Sequence, residues 1–182
     1  MNPPDLNKHD LLVIGGGPAG SATGYWAARA GLDVVVVEKK DFPREKTCGD
    51  GLTPRAVHQL EEMGLGPRLS EYHRYEGLRP LAHGRSMELH WPEHPLYPSH
   101  GYVVRRRELD TFVAENAGAA GATLMTGTEA TGPLMDGGRL VGATVRDKAA
   151  GSTRDIRADY VVVADGANSR FGRALGARRN RS

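Results

Sequence analysis

The sequence predicts an α/β fold on a mostly parallel sheet, and three stretches predict it. Leu11-Leu12-Val13-Ile14 is an apolar run that ends in the glycine cluster Gly15-Gly16-Gly17-Pro18-Ala19-Gly20, and a small-residue stretch of helical character follows. Val34-Val35-Val36-Val37, set between Asp33 and Glu38, is continuously apolar, as interior strands of parallel sheets are. Tyr160-Val161-Val162-Val163-Ala164 has the same character late in the chain and runs into a second turn, Asp165-Gly166. The first two stretches form a strand–helix–strand unit with its glycines at the first turn.

Taken in order, residues 1–9 read as a leader without structure of its own, followed by a strand over 10–14. Pro18 stands where a helix begins, a position that tolerates its missing N–H, and the helix runs to Ala30 with Gly31 as its stop. After the second strand, residues 39–52 are rich in charge and glycine and have no period, so they read as a loop. Thr53-Pro54 opens a helix reaching Met63, with Val57 and Leu60 on one face and Gly64 ending it. Residues 65–101 mix proline, histidine and aromatics; only 86–91 looks strand-like, and the stretch reads as part of a substrate-side insertion. A strand over 102–104 precedes a helix over 106–120, where Leu109, Phe112, Val113, Asn116 and Ala117 share a face. Gly121 ends it and a strand over 122–125 follows. Residues 128–157 read as an antiparallel β-meander turning at Asp136-Gly137-Gly138-Arg139 and Ala149-Ala150-Gly151-Ser152, before a separate buried strand over 160–164. One domain over 10–182 is the expected organisation.

Composition narrows the function classes. The chain has 182 residues, 39% apolar and 25% charged, a globular profile of single-domain size. A formal net charge of +2 gives no case for nucleic acid, and Arg170, Arg173, Arg178, Arg179 and Arg181 read as a solvated tail. Cys48 is the single cysteine, which excludes an internal disulfide and fits a reducing compartment. No signal-peptide pattern and no apolar run of membrane-spanning length is present, so a cytoplasmic chain is expected.

Gly15, Gly17 and Gly20 fit G-x-G-x-x-G. The first glycine allows the tight turn, the second lets backbone approach a pyrophosphate, and the third lets helix and strand pack closely. Phosphate then meets free N–H groups at the helix start around Pro18 and Ala19. Glu38 follows at the distance of a ribose-binding acid, and its charge opposes a 2′-phosphate. This spacing does not separate NAD from FAD, and the plain alternative is a tight strand–helix turn without a ligand. Cys48 reads equally as a small buried thiol or as a site residue, its neighbours Arg44 and Lys46 favouring a reactive thiolate. Asp165-Gly166 also fits an ordinary turn, and at least one of Arg105, Arg106 and Arg107 reads as a solvated helix-start residue. His90, His94 and His100 lack metal-ligand spacing, so no metal is expected; Ser21 and Ser169 lack a His–Asp context for hydrolysis.

Gly15–Gly20 with Glu38 resembles the opening of flavoproteins of the glutathione-reductase-like Rossmann fold, aromatic-hydroxylase branch. Arg106-Arg107-Glu108-Leu109-Asp110 looks like that group's Arg-x-x-Leu-Asp, and Ala164-Asp165-Gly166-Ala167-Asn168-Ser169-Arg170 like its second flavin motif. Pro43-Arg44-Glu45-Lys46-Thr47-Cys48-Gly49 is similar to the Pro-Arg-x-Lys-x-Cys-Gly segment of the geranylgeranyl reductase family. Thr53-Pro54-Arg55-Ala56-Val57 and Trp91-Pro92 look closest to its actinobacterial menaquinone reductases. The resemblance implies FAD as cofactor and saturation of an isoprenoid double bond, with an isoprenoid lipid or quinone as substrate and peripheral contact with the cytoplasmic membrane. It implies that Gly15, Gly17, Pro18, Ala19, Gly20, Glu38 and Lys39 hold the ADP half. It also implies that Arg106 meets a phosphate or the ribityl chain, and that Asp165 and Gly166 support the flavin. Arg44, Lys46, Cys48 and Gly49 are then expected beside the flavin ring and substrate pocket, with Cys48 the catalytic candidate. No Gly-Asp-Ala segment follows Gly166, so the resemblance covers an N-terminal half, a shortened form that a C-terminal chain would complement. Two other readings stay open: an FAD-dependent hydroxylase on the same scaffold, and an inactive nucleotide-binding module. The Cys48 segment favours the reductase.

Overall fold

The computed structural model describes residues 8–178. In chain order the elements are β1 (Lys8–Ile14), α1 (Pro18–Arg29), β2 (Val34–Val37), β3 (Gly51–Leu52), α2 (Pro54–Glu62), α3 (Gly66–Leu69) and β4 (His73–Tyr75). Next come β5 (Gly77–Leu78), β6 (Leu81–Ala82), β7 (Arg85–Ser86), β8 (Leu89–His90), β9 (Gly101–Val103) and α4 (Arg106–Ala119). The chain closes with β10 (Thr123–Met125), β11 (Thr128–Asp136), β12 (Arg139–Asp147), β13 (Thr153–Val163) and α5 (Arg170–Ala174). Two compact units result: residues up to 44 together with those from 110 onward, and residues 45–109 between them. The second unit includes residues 65–101, the stretch read as part of an insertion.

The first unit is organised by a six-stranded sheet in the order β10-β2-β1-β13-β12-β11. β10, β2, β1 and β13 run parallel, and β13, β12 and β11 continue as an antiparallel meander. Alternation along the strands divides the core. Leu12, Ile14, Val35 and Val37 pack with Ala143, Val145, Ile156, Ala158 and Phe171 on one face. Each Leu, Ile, Val or Phe side chain among them, when fully buried, contributes about 1.5–3 kcal/mol. On the other face α1 comes unusually close, because a Cβ at Gly24 would lie 2.8 Å from Val36 and one at Gly20 3.2 Å from Val13. The small residues that mark this helix in the sequence are thus a packing requirement.

Two expectations are corrected here. Lys8 and His9 belong to β1, so the leader is shorter than nine residues, and residues 1–7 lie outside the described residues. The last meander strand and the separate strand over 160–164 are one strand, β13, whose Arg157 pairs with Gly142 on one side and Lys8 on the other. Arg157 and Asp159 look like a polar break, yet Ile156 and Ala158 keep the inward alternation through it. Nor is its end a two-sided buried strand: Tyr160 is 73% exposed and Val161–Val163 are half-buried.

The second unit carries α2 and α3, a sheet in the order β3-β9-β4, and the two-stranded ribbons β5–β8 and β6–β7. Tyr75 donates to the Leu52 carbonyl at 3.0 Å across the sheet, and Gly101 leaves room for the Tyr75 ring. The expected strand over 86–91 is divided between β7 and β8. Strands of two residues are too short to display a period, which is why this stretch reads poorly in the sequence.

Candidate cofactor site

Parallel pairing of β1 with β2 on one side and β13 on the other brings three carboxyl-terminal strand ends together. In open α/β sheets that is where ligands bind. The Gly15 turn after β1 packs directly on the Asp165 turn after β13. A Cβ at Gly15 would lie 2.6 Å from the Ala164 carbonyl and 2.7 Å from Asp165 Cα, and Gly15 has φ +101°. Gly166, at φ +92°, turns the chain away again. The two glycine turns recognised in the sequence are therefore adjacent in space.

Gly17 is the N-cap of α1, Pro18 opens the helix, and no side chain caps it. The amides of Ala19 and Gly20 lie in its first turn, which leaves them for an anion. Gly20 packs so tightly that a Cβ there would lie 1.8 Å from the Gly15 carbonyl. Ser21, fully buried, donates to the Gly16 carbonyl at 3.0 Å and fixes the turn from the helix side.

Glu38 is 8% exposed and accepts from the Gly16 amide at 2.9 Å and from the Lys40 amide at 3.1 Å. A carboxylate offers about four acceptor positions, so two N–H bonds leave it able to accept ribose hydroxyls. Gly16 is glycine for this reason: a Cβ there would stand 2.9 Å from Glu38 Cβ. The backbone of Glu38 is tied to Met125 and Thr128, and the Lys148 ammonium donates to the Lys39 carbonyl at 2.6 Å. Lys39 itself is exposed next to the acid.

Arg44, expected beside the flavin ring, faces two carboxylates. Its guanidinium, 9% exposed, lies 3.6 Å from Glu38 and 3.2 Å from Asp110, over the ring of Phe42. Two buried carboxylates need a nearby cation, and Arg44 on the loop after Glu38 supplies it.

In the second unit, Glu45, Lys46, Cys48, Asp50, Arg105, Arg106 and Arg107 line a cleft of about 260 Å³. Asp50 accepts from the Arg106 amide at 3.0 Å, holding the start of α4. Arg106 Nη1 lies 3.8 Å from Cys48 Sγ, and Arg107 lies 3.5 Å from Glu45. Cys48 is exposed, which removes the buried-thiol reading; the cation at its sulfur is Arg106, while Arg44 serves the two carboxylates. At Gly49 a Cβ would meet nothing within 4 Å, so no crowding explains that glycine.

Residues 8–182 match the FAD binding domain family. The chain belongs to that family. The menaquinone reductase of Mycobacterium tuberculosis is 44% identical over 173 residues, which cover 94% of this chain and 41% of that protein. A geranylgeranyl bacteriochlorophyll reductase-like protein of Thermoplasma acidophilum superposes with a TM-score of 0.79 at 30% identity, covering 94% of this chain and 42% of that one. The myxobacterial FAD-dependent chondrochloren halogenase superposes with a TM-score of 0.84 at 28% identity, covering 92% and 39%. The chain thus spans about two fifths of the length of these relatives.

The cofactor of an FAD binding domain of this kind is FAD, and the residues present fit its ADP half. Gly15, Gly16 and Gly20 form a turn that added side chains would fill, α1 starts without a cap, and Asp165 Oδ1 is buried with no hydrogen-bond partner among the described residues. Sequence reasoning passed over Gly16, Ser21, Asp50 and the role of Asp110. Asp110 closes a quoted motif, but a motif does not say which cation its acid meets. Among the described residues no cluster of His, Cys, Asp or Glu is arranged to hold a metal, and no helix is long and apolar enough to cross a membrane.

Proposed function

We propose that this chain is the FAD-holding N-terminal portion of a reductase that saturates an isoprenoid double bond, in the side chain of a menaquinone or a similar prenyl lipid. The observation that carries this reading is the 44% identity with a menaquinone reductase over a 173-residue match that covers 94% of this chain. Bound flavin, once reduced by an external two-electron donor, would supply a hydride to the double bond, and a proton would complete the saturation. The Gly15–Gly20 turn and the start of α1 hold its pyrophosphate, Glu38 takes the ribose, and Asp165 with Gly166 supports the flavin from the second turn. The sequence resemblance assigns Lys46, Cys48 and Gly49 to the reacting end and Arg106 to the phosphate or ribityl chain; Lys46, Cys48 and Arg106 line one cleft of the second unit, and the Cys48 thiol would be the proton donor to the carbon left electron-rich. An isoprenoid substrate brings the work to the surface of the cytoplasmic membrane, and further polypeptide completes the pocket.

A second reading, oxygen-dependent substitution on the same scaffold, is favoured by the likeness to the halogenase. One experiment separates the readings. The purified chain is mixed with FAD, reduced anaerobically by dithionite and given a menaquinone with an unsaturated side chain. After the ring has been reoxidised to the quinone, mass analysis should show a gain of two hydrogens in the side chain. Oxygen incorporation in air would favour the second reading, and flavin binding without turnover would reduce this polypeptide to a binding module.

A further inference from the structure

The least explained group near the nucleotide turns is the buried triad Glu38–Arg44–Asp110. The Arg44 side chain is 9% exposed, that of Glu38 10% and that of Asp110 0%. Two carboxylates and one guanidinium leave the group with a net charge of −1. Arg44 directs Nη2 to Glu38 and Nη1 to Asp110, and its Nε is buried with no hydrogen-bond partner among the described residues. A buried N–H on a charged group that has no acceptor is costly, so the free chain carries a donor that a ligand would satisfy.

We propose that Arg44 is a second reader of the adenosine ribose, in which its Nε–H donates to a ribose hydroxyl while that hydroxyl donates to Glu38, and in which Asp110 retains the guanidinium charge. This rests on the reading of Glu38 as the ribose acid. A hydroxyl is both donor and acceptor, so a carboxylate beside a guanidinium N–H matches it on both counts. A phosphate only accepts, and it would compete with Asp110 for Arg44 while facing Glu38. The charge balance of the triad therefore excludes a 2′-phosphate, and the pocket owes this to Asp110 as much as to Glu38. Glu38 alone beside a free arginine would not do so, since arginine is the usual partner of a 2′-phosphate.

The test uses nucleotides and no flavin chemistry. ADP, 2′-deoxy-ADP, 3′-deoxy-ADP and 2′,5′-ADP are titrated into the full chain by calorimetry, with thermal melting as the folding control. Arg44→Lys keeps a cation between the two acids and removes the Nε donor. The wild type should lose about tenfold or more in affinity when the contacted hydroxyl is removed from ADP, and Arg44→Lys should bind ADP about tenfold more weakly with that difference gone. Asp110→Asn, or Asp110→Ser if the first does not fold, should narrow the preference for ADP over 2′,5′-ADP by about tenfold. If Arg44→Lys weakens ADP and both deoxy-ADPs equally, or if neither Asp110 variant narrows the preference, the proposal is overturned. Failure of the wild type to bind ADP would instead refute the ribose reading on which it rests.

Discussion

Replacing Gly20 by alanine is the most demanding single perturbation of the nucleotide turn. The added Cβ would stand 1.8 Å from the Gly15 carbonyl oxygen, where real Cβ contacts essentially never fall below 3.0 Å. Both partners are backbone, so no side chain can swing aside; the start of α1 and the turn must separate by more than about 1 Å. Overpacking of this kind costs about 1–3 kcal/mol. For a chain of this size, each kcal/mol lowers Tm by about 2–4 °C. The effect on ligand is larger, because the same shift misaligns the amides that meet the pyrophosphate. Losing one or two charge-assisted bonds at about 1.5–3 kcal/mol each corresponds to on the order of a hundredfold in affinity. Gly132→Ala is the matched control: its Cβ would meet nothing within 4 Å, and it should change stability by no more than about 0.5 kcal/mol. Flavin fluorescence titration and thermal melting measure both quantities. Gly20→Ala binding FAD as tightly as Gly132→Ala and the wild type would refute the assignment of this turn to the pyrophosphate.

Further outcomes follow from other residues. Glu38→Gln removes the charge that accepts from the Gly16 and Lys40 amides, and should weaken FAD by about tenfold to a hundredfold in the same titration. Cys48→Ala changes an exposed side chain and should leave the melting temperature and FAD affinity within error; reduction of a menaquinone side chain should fall if the thiol is the proton donor. Burial, reinforced by Arg74, lowers the pKa of His100 below the usual imidazole value. The unfolded chain then binds the proton more readily, so this residue contributes stability above about pH 6.5 that is lost as pH falls through and below that value. His100→Gln should therefore flatten the acid side of the stability–pH curve measured by denaturant titration, and an unchanged acid limb would show that His100 does not contribute.

The parallel sheet was legible because its two central strands, β1 and β2, are buried on both faces over 11–14 and 34–37 and their side chains say so. Val34–Val37 is the clearest case, all four buried. The helices showed in the same way: Leu109, Phe112, Val113 and Ala117 are buried, as their spacing requires. β13 misled for a physical reason, since one strand changes partner and environment half-way and its two halves carry different patterns. Residues 73–90 of the second unit could not be read, because strands of two or three residues have no period and Leu78, Leu81, Met87 and Leu89 are exposed. Within the site, glycine spacing and Glu38 announced themselves, since backbone approach and ribose binding each demand one residue type. The pairing of Arg44 with Asp110 did not, although the Pro-Arg-x-Lys-x-Cys-Gly resemblance marks Arg44. A lone arginine in a polar loop and a buried aspartate in a helix 66 residues later acquire meaning only when the fold sets them 3.2 Å apart.

The central claim, that the Gly15 and Asp165 turns hold FAD, is tested most directly by titrating the purified chain with FAD and following flavin absorption through gel filtration. One flavin per chain should co-elute with a perturbed visible spectrum, ADP should displace it, and Gly20→Ala should abolish co-elution. A chain that is folded by circular dichroism and melting yet elutes free of flavin at every FAD concentration would contradict the account.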